Sequence, residues 1–147
     1  MNKIIDGLKI SSDIKKEIKD EISLIKKRGF RTPSLCIVLV GGHSASKIYV
    51  NAKIRACEEV GIEVELISLN DNILEGDLLN LIDKLNKKKS LDGFIVQLPL
   101  PEQINVQNVI DSINPDKDVD GFTNDNIGSI TSNIKKLLPA TGLGVMT

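Results

Sequence analysis

Three polar residues of one predicted helix are spaced for joint acid–base chemistry. Ser46, Tyr49 and Lys53 are three and then four residues apart, so a helix places them on one face. A tyrosine ring can stack on a flat heterocycle, and its hydroxyl can donate or accept a hydrogen bond. A lysine can exchange protons where its surroundings disfavour the ammonium form. On these residues alone, a partly buried tyrosine beside a solvated lysine is the favoured interpretation.

A second candidate is the amide that ends an apolar run. Gln97 follows Phe94-Ile95-Val96, and two prolines, Pro99 and Pro101, then halt the predicted strand because proline cannot donate to a sheet ladder. If Gln97 is buried, its amide needs hydrogen-bond partners, which a lysine or a ligand could supply. The alternative is an ordinary core strand with a proline stop. We expect the Leu98–Pro99 peptide bond to be trans, the commoner state.

Alternating acidic residues mark the segment 114–122. Asp116, Asp118 and Asp120 lack the further ligands and the terminal glutamate of an EF-hand calcium loop, so we predict no metal site. A carboxylate on a rigid turn could instead accept hydrogen bonds from the N–H groups of a heterocycle. The alternative is a solvated loop.

The elements that must position these residues alternate along the chain. Apolar residues at helical spacing predict helices over 10–28, 46–60, 73–88 and 104–112. Apolar runs predict strands over 35–40, 62–69 and 94–96. We therefore expect an α/β domain with a parallel sheet, followed by a loop-rich segment 101–142. In such sheets ligands bind beyond the carboxyl ends of the strands, where Gly41-Gly42 and Gln97 lie.

The composition is that of one globular domain. The 147 residues carry 19 basic and 20 acidic side chains, so nucleic acid is a poor candidate partner. No window holds the roughly 18 consecutive apolar residues of a membrane span, and residues 1–7 are too charged for a signal peptide. Cys36 and Cys57 are expected as small buried residues in a reducing cytoplasm. A single histidine, His43, argues against a histidine-rich metal site.

One enzyme class fits the pair Tyr49 and Lys53 only in part. A short-chain dehydrogenase needs a glycine-rich phosphate loop after the first strand, which Gly41-Gly42-His43 does not supply. The segment Gly142-Leu143-Gly144 lacks the third glycine of a dinucleotide fingerprint and follows no predicted strand.

Taken together, the motifs occur in one order along nearly the whole chain. They resemble the bifunctional methylenetetrahydrofolate dehydrogenase/methenyltetrahydrofolate cyclohydrolase family. The matching segments are Ile4-Ile5-Asp6-Gly7, Val40-Gly41-Gly42, Ser46-x-x-Tyr49-Val50-x-x-Lys53, Gly61-Ile62, Val96-Gln97-Leu98-Pro99-Leu100-Pro101, Pro115-x-Lys117-Asp118-Val119-Asp120-Gly121-Phe122, Asn126-x-Gly128 and Pro139-Ala140-Thr141-x-x-Gly144-Val145. One departure is local: Gly142 stands where the family often has proline.

The resemblance implies a role for each matching residue. Lys53 is the catalytic lysine, and Gln97 hydrogen-bonds it. Tyr49 stacks on the aromatic rings of the folate, Asp120 holds the pterin, and Ser46 supports the same face. The implied catalytic set is Lys53, Gln97 and Tyr49, and the implied substrate-binding set is Ser46, Tyr49, Gln97, Leu98, Pro99 and Asp120. The methenyl substrate is a cation, which disfavours a protonated lysine beside it, so Lys53 could take and return protons as the ring opens.

The resemblance also implies an activity that this chain would share with a second domain. The family oxidises 5,10-methylenetetrahydrofolate to the 5,10-methenyl form with NADP or NAD, then hydrolyses that to 10-formyltetrahydrofolate. Its chains are longer because a Rossmann-type cofactor domain follows. We therefore expect residues 1–147 to be the folate-binding catalytic domain, three α/β/α layers of the amino-acid-dehydrogenase-like N-terminal type, without the NADP domain. A homodimer is expected of the complete enzyme. The alternative is a non-catalytic, stand-alone folate-binding or dimerising module of the same fold.

Overall fold

The structure is a computed structural model that describes residues 6–132. Its elements, in chain order, are α1 (Gly7–Lys27), β1 (Ser34–Val40), α2 (Ser44–Val60), β2 (Glu63–Leu69), α3 (Glu75–Lys87), β3 (Gly93–Gln97), α4 (Val106–Ser112), a 3-10 turn (Pro115–Lys117) and α5 (Asn124–Ser132). The strands form a parallel sheet in the order β2–β1–β3. The predicted α/β class and the parallel pairing are confirmed.

The two faces of the central strand divide the core. Cys36, Val38 and Val40 of β1 pack in the cluster that includes α3 and α4, whereas Ile37 and Leu39 pack with Val50 of α2. This division follows from strand geometry, because successive side chains point to opposite faces. Helices thus cover both faces of the sheet, which is why β1 is apolar throughout.

Two glycines with positive φ end elements at opposite edges of the sheet, Gly41 at the carboxyl edge and Gly61 at the amino edge just before β2. Gly41 follows β1 with φ 78°, and Gly61 follows α2 with φ 90°. The amide of Gly61 donates to the carbonyl of Cys57 at 2.9 Å, so the predicted stop after α2 is confirmed. Both cysteines are buried, as expected.

Three expectations differ from the structure. The first helix begins at Gly7 and not at residue 10, because Asp6 caps it by accepting a hydrogen bond from the amide of Lys9 at 3.0 Å. The segment predicted as loop-rich contains α5, whose short polar sequence carries little apolar periodicity. The Leu98–Pro99 bond is cis, so the trans expectation was wrong; the small trans preference of an X–Pro bond is easily overridden by its surroundings.

None of the helices within residues 6–132 is long and apolar enough to cross a membrane. The motif at Pro139–Val145 and the departure at Gly142 lie outside the described residues.

Candidate active site

The structure brings three of the proposed site residues together around one ammonium group. Lys53 Nζ donates a hydrogen bond to Gln97 Oε1 at 3.3 Å. The same nitrogen lies 3.7 Å from Asp120 Oδ2. Lys53 belongs to α2, Gln97 ends β3, and Asp120 lies in the loop before α5. Residues separated by more than sixty positions thus form one polar cluster.

The register of the sheet explains why Gln97 meets Lys53. Gln97 lies opposite Leu39, and Ile95 lies opposite Ile37. Those residues of β1 face α2, so the alternation along β3 also directs Gln97 to the α2 side. As the last residue of the strand, Gln97 reaches the carboxyl edge of the sheet, where ligands of parallel sheets bind.

The amide of Gln97 has a defined orientation. Its Nε2 donates to the carbonyl oxygen of Leu98 at 2.8 Å, and its Oε1 is therefore left to accept from Lys53. Leu98 is half-buried and Pro99 is exposed, with the cis peptide bond between them at the edge of the cluster. Gln97 can hold the lysine in place without adding charge.

Asp120 is a carboxylate in a partly desolvated place. Its side chain is 21% exposed. Burial raises the pKa of the Asp120 carboxyl; Lys53 opposes that rise, and the charge of Asp118 adds to it. The ionised form of a partly desolvated carboxylate is stabilised by hydrogen bonds from donors such as the N–H groups of a heterocycle.

Ser46 does not share the exposed face of α2 that Tyr49 occupies, although the spacing predicted one common face. The side chain of Tyr49 is 64% exposed, whereas Ser46 is only 3% exposed. The tyrosine ring is therefore available to stack on a flat ligand beside Lys53. Ser46 lies on the buried side of the helix with Val50, so it is placed to support the face from beneath.

The enclosed space behind the cluster is small. A cavity of about 20 Å³ lies beside Asp120, and Leu98, Val109, Ile110 and Phe122 are among its lining residues. That volume suits one water molecule and not an aromatic ring. A ligand with aromatic rings would therefore have to lie on the open surface between Tyr49 and Asp120.

Sequence reasoning missed two residues that shape the site. Asp118 is 2% exposed and accepts hydrogen bonds from the amides of Gly121 and Thr123 at 2.9 and 2.7 Å. Asn126 donates to the same carboxylate at 3.0 Å. A signal existed in the sequence, since an aspartate followed by Asp120-Gly121 is typical of a turn closed by its own side chain.

Comparison with known proteins relates this arrangement to a family. Residues 5–120 match the tetrahydrofolate dehydrogenase/cyclohydrolase catalytic domain. The chain belongs to this family. The matched segment ends at Asp120, so it contains Ser46, Tyr49, Lys53, Gln97, Leu98 and Pro99 as well.

Relatives within the family have the same fold but longer chains. The chain is 49% identical over 143 residues to the bifunctional protein FolD of Christiangramia forsetii, covering 97% of this chain and 48% of that protein. It superposes on the 5,10-methylenetetrahydrofolate dehydrogenase of the silkworm Bombyx mori with a TM-score of 0.96 at 41% identity, covering 99% of this chain and 50% of that one. The dehydrogenase-cyclohydrolase of Trypanosoma brucei, solved with NADP and an inhibitor, gives 0.92 at 28% identity, with 98% and 50% covered. The chain thus spans about half the length of these relatives.

Proposed function

We propose that the chain binds a tetrahydrofolate derivative at the cluster of Lys53, Gln97 and Asp120, as the folate-binding catalytic domain of a one-carbon enzyme. In the complete protein, this site would act on 5,10-methylenetetrahydrofolate and on its 5,10-methenyl product. The observation that carries the proposal is the position of Lys53 Nζ, which is 3.3 Å from Gln97 Oε1 and 3.7 Å from Asp120 Oδ2.

The substrate would be held by contacts on both sides of the lysine. The exposed ring of Tyr49 offers a stacking surface for the pterin and benzoyl rings. The carboxylate of Asp120 would accept hydrogen bonds from pterin N–H groups, which are stronger when the acceptor is charged. Leu98 and Pro99 would supply apolar contact at the edge, and Ser46 would support the helix beneath Tyr49.

Hydrolysis of the methenyl group is the step that these residues can perform themselves. The cationic methenyl substrate disfavours the ammonium form of the neighbouring Lys53, so the lysine can act as a base when the substrate is bound. Water adds to the methenyl carbon, and one of its protons passes to the amine of Lys53. The bond from that carbon to N5 then breaks, and N5 takes the proton from Lys53. The hydroxyl proton leaves to solvent as the formyl C=O forms. Gln97 Oε1 would keep the lysine nitrogen at one place through both transfers.

The hydride step needs a group for which the described residues offer no site. A dinucleotide fingerprint requires glycines after a strand at the start of a helix, and between β1 and α2 the chain has only Gly41-Gly42-His43. The relative from Trypanosoma brucei was solved with NADP, and this chain covers 50% of that protein. We therefore assign NADP to the complete protein.

Hydrolysis of 5,10-methenyltetrahydrofolate tests the role of Lys53. In the complete chain that the gene encodes, Lys53→Met keeps the aliphatic stem and removes the amine. We expect the hydrolysis rate, followed by the loss of the methenyl absorbance band, to fall about 10²- to 10⁴-fold. Lys47→Met is the matched control, because Lys47 is an exposed lysine on the same helix.

The outcomes separate the alternatives. An unchanged rate in Lys53→Met would contradict the assignment of Lys53. Binding of the folate by the wild-type protein without hydrolysis above the buffer rate would favour a non-catalytic folate-binding module.

A further inference from the structure

The carboxylate of Asp118 organises the loop that carries Asp120. Asp118 Oδ1 accepts from the amide of Gly121 at 2.9 Å, and Oδ2 accepts from the amide of Thr123 at 2.7 Å. Oδ2 also accepts from Asn126 Nδ2 at 3.0 Å. These three donors follow Asp118 by three, five and eight residues, so the side chain closes the loop on itself.

Asp120 lies inside the span that these hydrogen bonds close. Its neighbour Gly121 is held by its own amide and adopts φ 73°, a conformation that favours glycine. Two residues further on, the amide of Thr123 donates to the second oxygen of Asp118. Asp120 thus lies between the acceptor Asp118, which precedes it, and the donors Gly121 and Thr123, which follow it, and this closed turn limits where its carboxylate can lie.

The sheet anchors the other end of the same loop. Asp118 pairs with Phe94 of β3 through an isolated parallel bridge. At Gly93 the loop runs so close to the strand that a Cβ atom would overlap with Cγ1 of Val119 and lie 3.2 Å from the carbonyl oxygen of Lys117. The loop therefore has a fixed position relative to Gln97, four residues further along β3.

We propose that Asp118 is a positioning residue that holds the carboxylate of Asp120 within reach of Lys53 and of the bound pterin. Asp118 is 2% exposed, so it would not itself touch the substrate. The inference rests on the proposed folate-binding role of Asp120 and adds the residue on which that role depends.

The donor pattern requires a carboxylate and not an amide. Three N–H groups converge on the two oxygens of Asp118, and both oxygens of a carboxylate are acceptors. In Asp118→Asn one oxygen becomes an NH₂ group, which would face an N–H donor whichever way the amide is turned. Either Gly121 or Thr123 would then lose its partner, and the loop around Asp120 would shift.

A double-mutant cycle on the hydrolysis of 5,10-methenyltetrahydrofolate tests this role in the complete chain. We expect Asp118→Asn and Asp120→Ala each to raise KM about 10-fold or more, because a hydrogen bond to a charged group is lost. The value of kcat should change less, since Lys53 and Gln97 remain in place. In the Asp120→Ala background, Asp118→Asn should add no further rise in KM. Asp116→Asn, an exposed carboxyl in the same segment, is the matched control.

Each other outcome identifies what has failed. A normal KM in Asp118→Asn beside a raised KM in Asp120→Ala would overturn the positioning role alone, as would an equal rise in both backgrounds. A normal KM in Asp120→Ala would overturn the folate-binding role of Asp120, and this inference with it. If Asp118→Asn fails to fold, Asn126→Ala takes its place, because it removes one donor and keeps the carboxylate. A smaller rise in KM supports the proposal, and an unchanged KM overturns it.

Discussion

At the scale of single residues, Asp120 illustrates the conflict between binding and stability. Burial raises the pKa of its carboxyl above the ordinary value of 3.8, despite the opposing charge of Lys53. Because the folded state binds this proton more tightly than the unfolded state, stability falls as pH rises from the ordinary carboxyl range through the raised value. At neutral pH the ionised carboxylate therefore costs stability, as groups at functional sites often do.

The variant Asp120→Asn should accordingly be more stable than the wild-type chain at pH 7. The gain should shrink as pH is lowered and vanish below the ordinary carboxyl pKa, where wild-type Asp120 is protonated whether folded or unfolded. Thermal unfolding followed by circular dichroism between pH 7 and 3 measures the gain in stability and its decrease with pH. Asp116→Asn, at an exposed position, should show no such gain. A lower melting temperature for Asp120→Asn at pH 7 would contradict the desolvated position of this carboxylate.

Some of the site residues could be predicted from the sequence, and the others are recognised only from contacts in the folded chain. Lys53 and Gln97 stood out as polar residues on a helix face and at a strand end, whereas Asp120 was assigned a role only through the resemblance to the folate enzyme family. Asp118 did not stand out from Asp116 and Asp120, because its importance lies in three donors from later in the loop. Only the folded chain shows which of three aspartates points inward.

At the scale of elements, the contact between β3 and the 117–119 segment positions the site. Gly93→Ala should destabilise the protein by about 1–3 kcal/mol, because the added methyl overlaps with Val119 and forces the loop away from the strand. Gly76→Ala is the matched control in α3, where an added Cβ meets nothing within 4 Å. That variant should gain about 0.5 kcal/mol, since it lowers the entropy of the unfolded chain. Urea unfolding measures both changes, and wild-type stability in Gly93→Ala would contradict the close approach.

The elements themselves were largely predictable, for identifiable reasons. The strands follow from apolar runs, and the ends of β1 and α2 follow from the glycines after them, Gly41 and Gly61. The start of α1 and the presence of α5 were not predicted, since a polar cap decides the first and α5 has little apolar periodicity. The cis bond at Leu98–Pro99 was also missed, because sequence alone gives only the general preference of such bonds.

At the scale of the whole molecule, the site is an open surface on a chain that spans about half the length of its relatives. The cavity beside Asp120 holds about 20 Å³, and the ring of Tyr49 is 64% exposed. A folate on this surface would be covered on one face only. We therefore expect the 147-residue chain alone to bind folate weakly.

Fluorescence of Tyr49 is the most direct measurement of that binding. The chain has one tyrosine and no tryptophan, so its intrinsic fluorescence reports on Tyr49 alone. With inner-filter effects corrected against free tyrosine amide, titration with 5,10-methenyltetrahydrofolate should quench this signal saturably, with a Kd on the order of 1 mM or below. Asp120→Ala should weaken the binding. If the fluorescence of Tyr49 is unchanged at millimolar concentrations of 5,10-methenyltetrahydrofolate, that result would contradict a folate site between Tyr49 and Asp120.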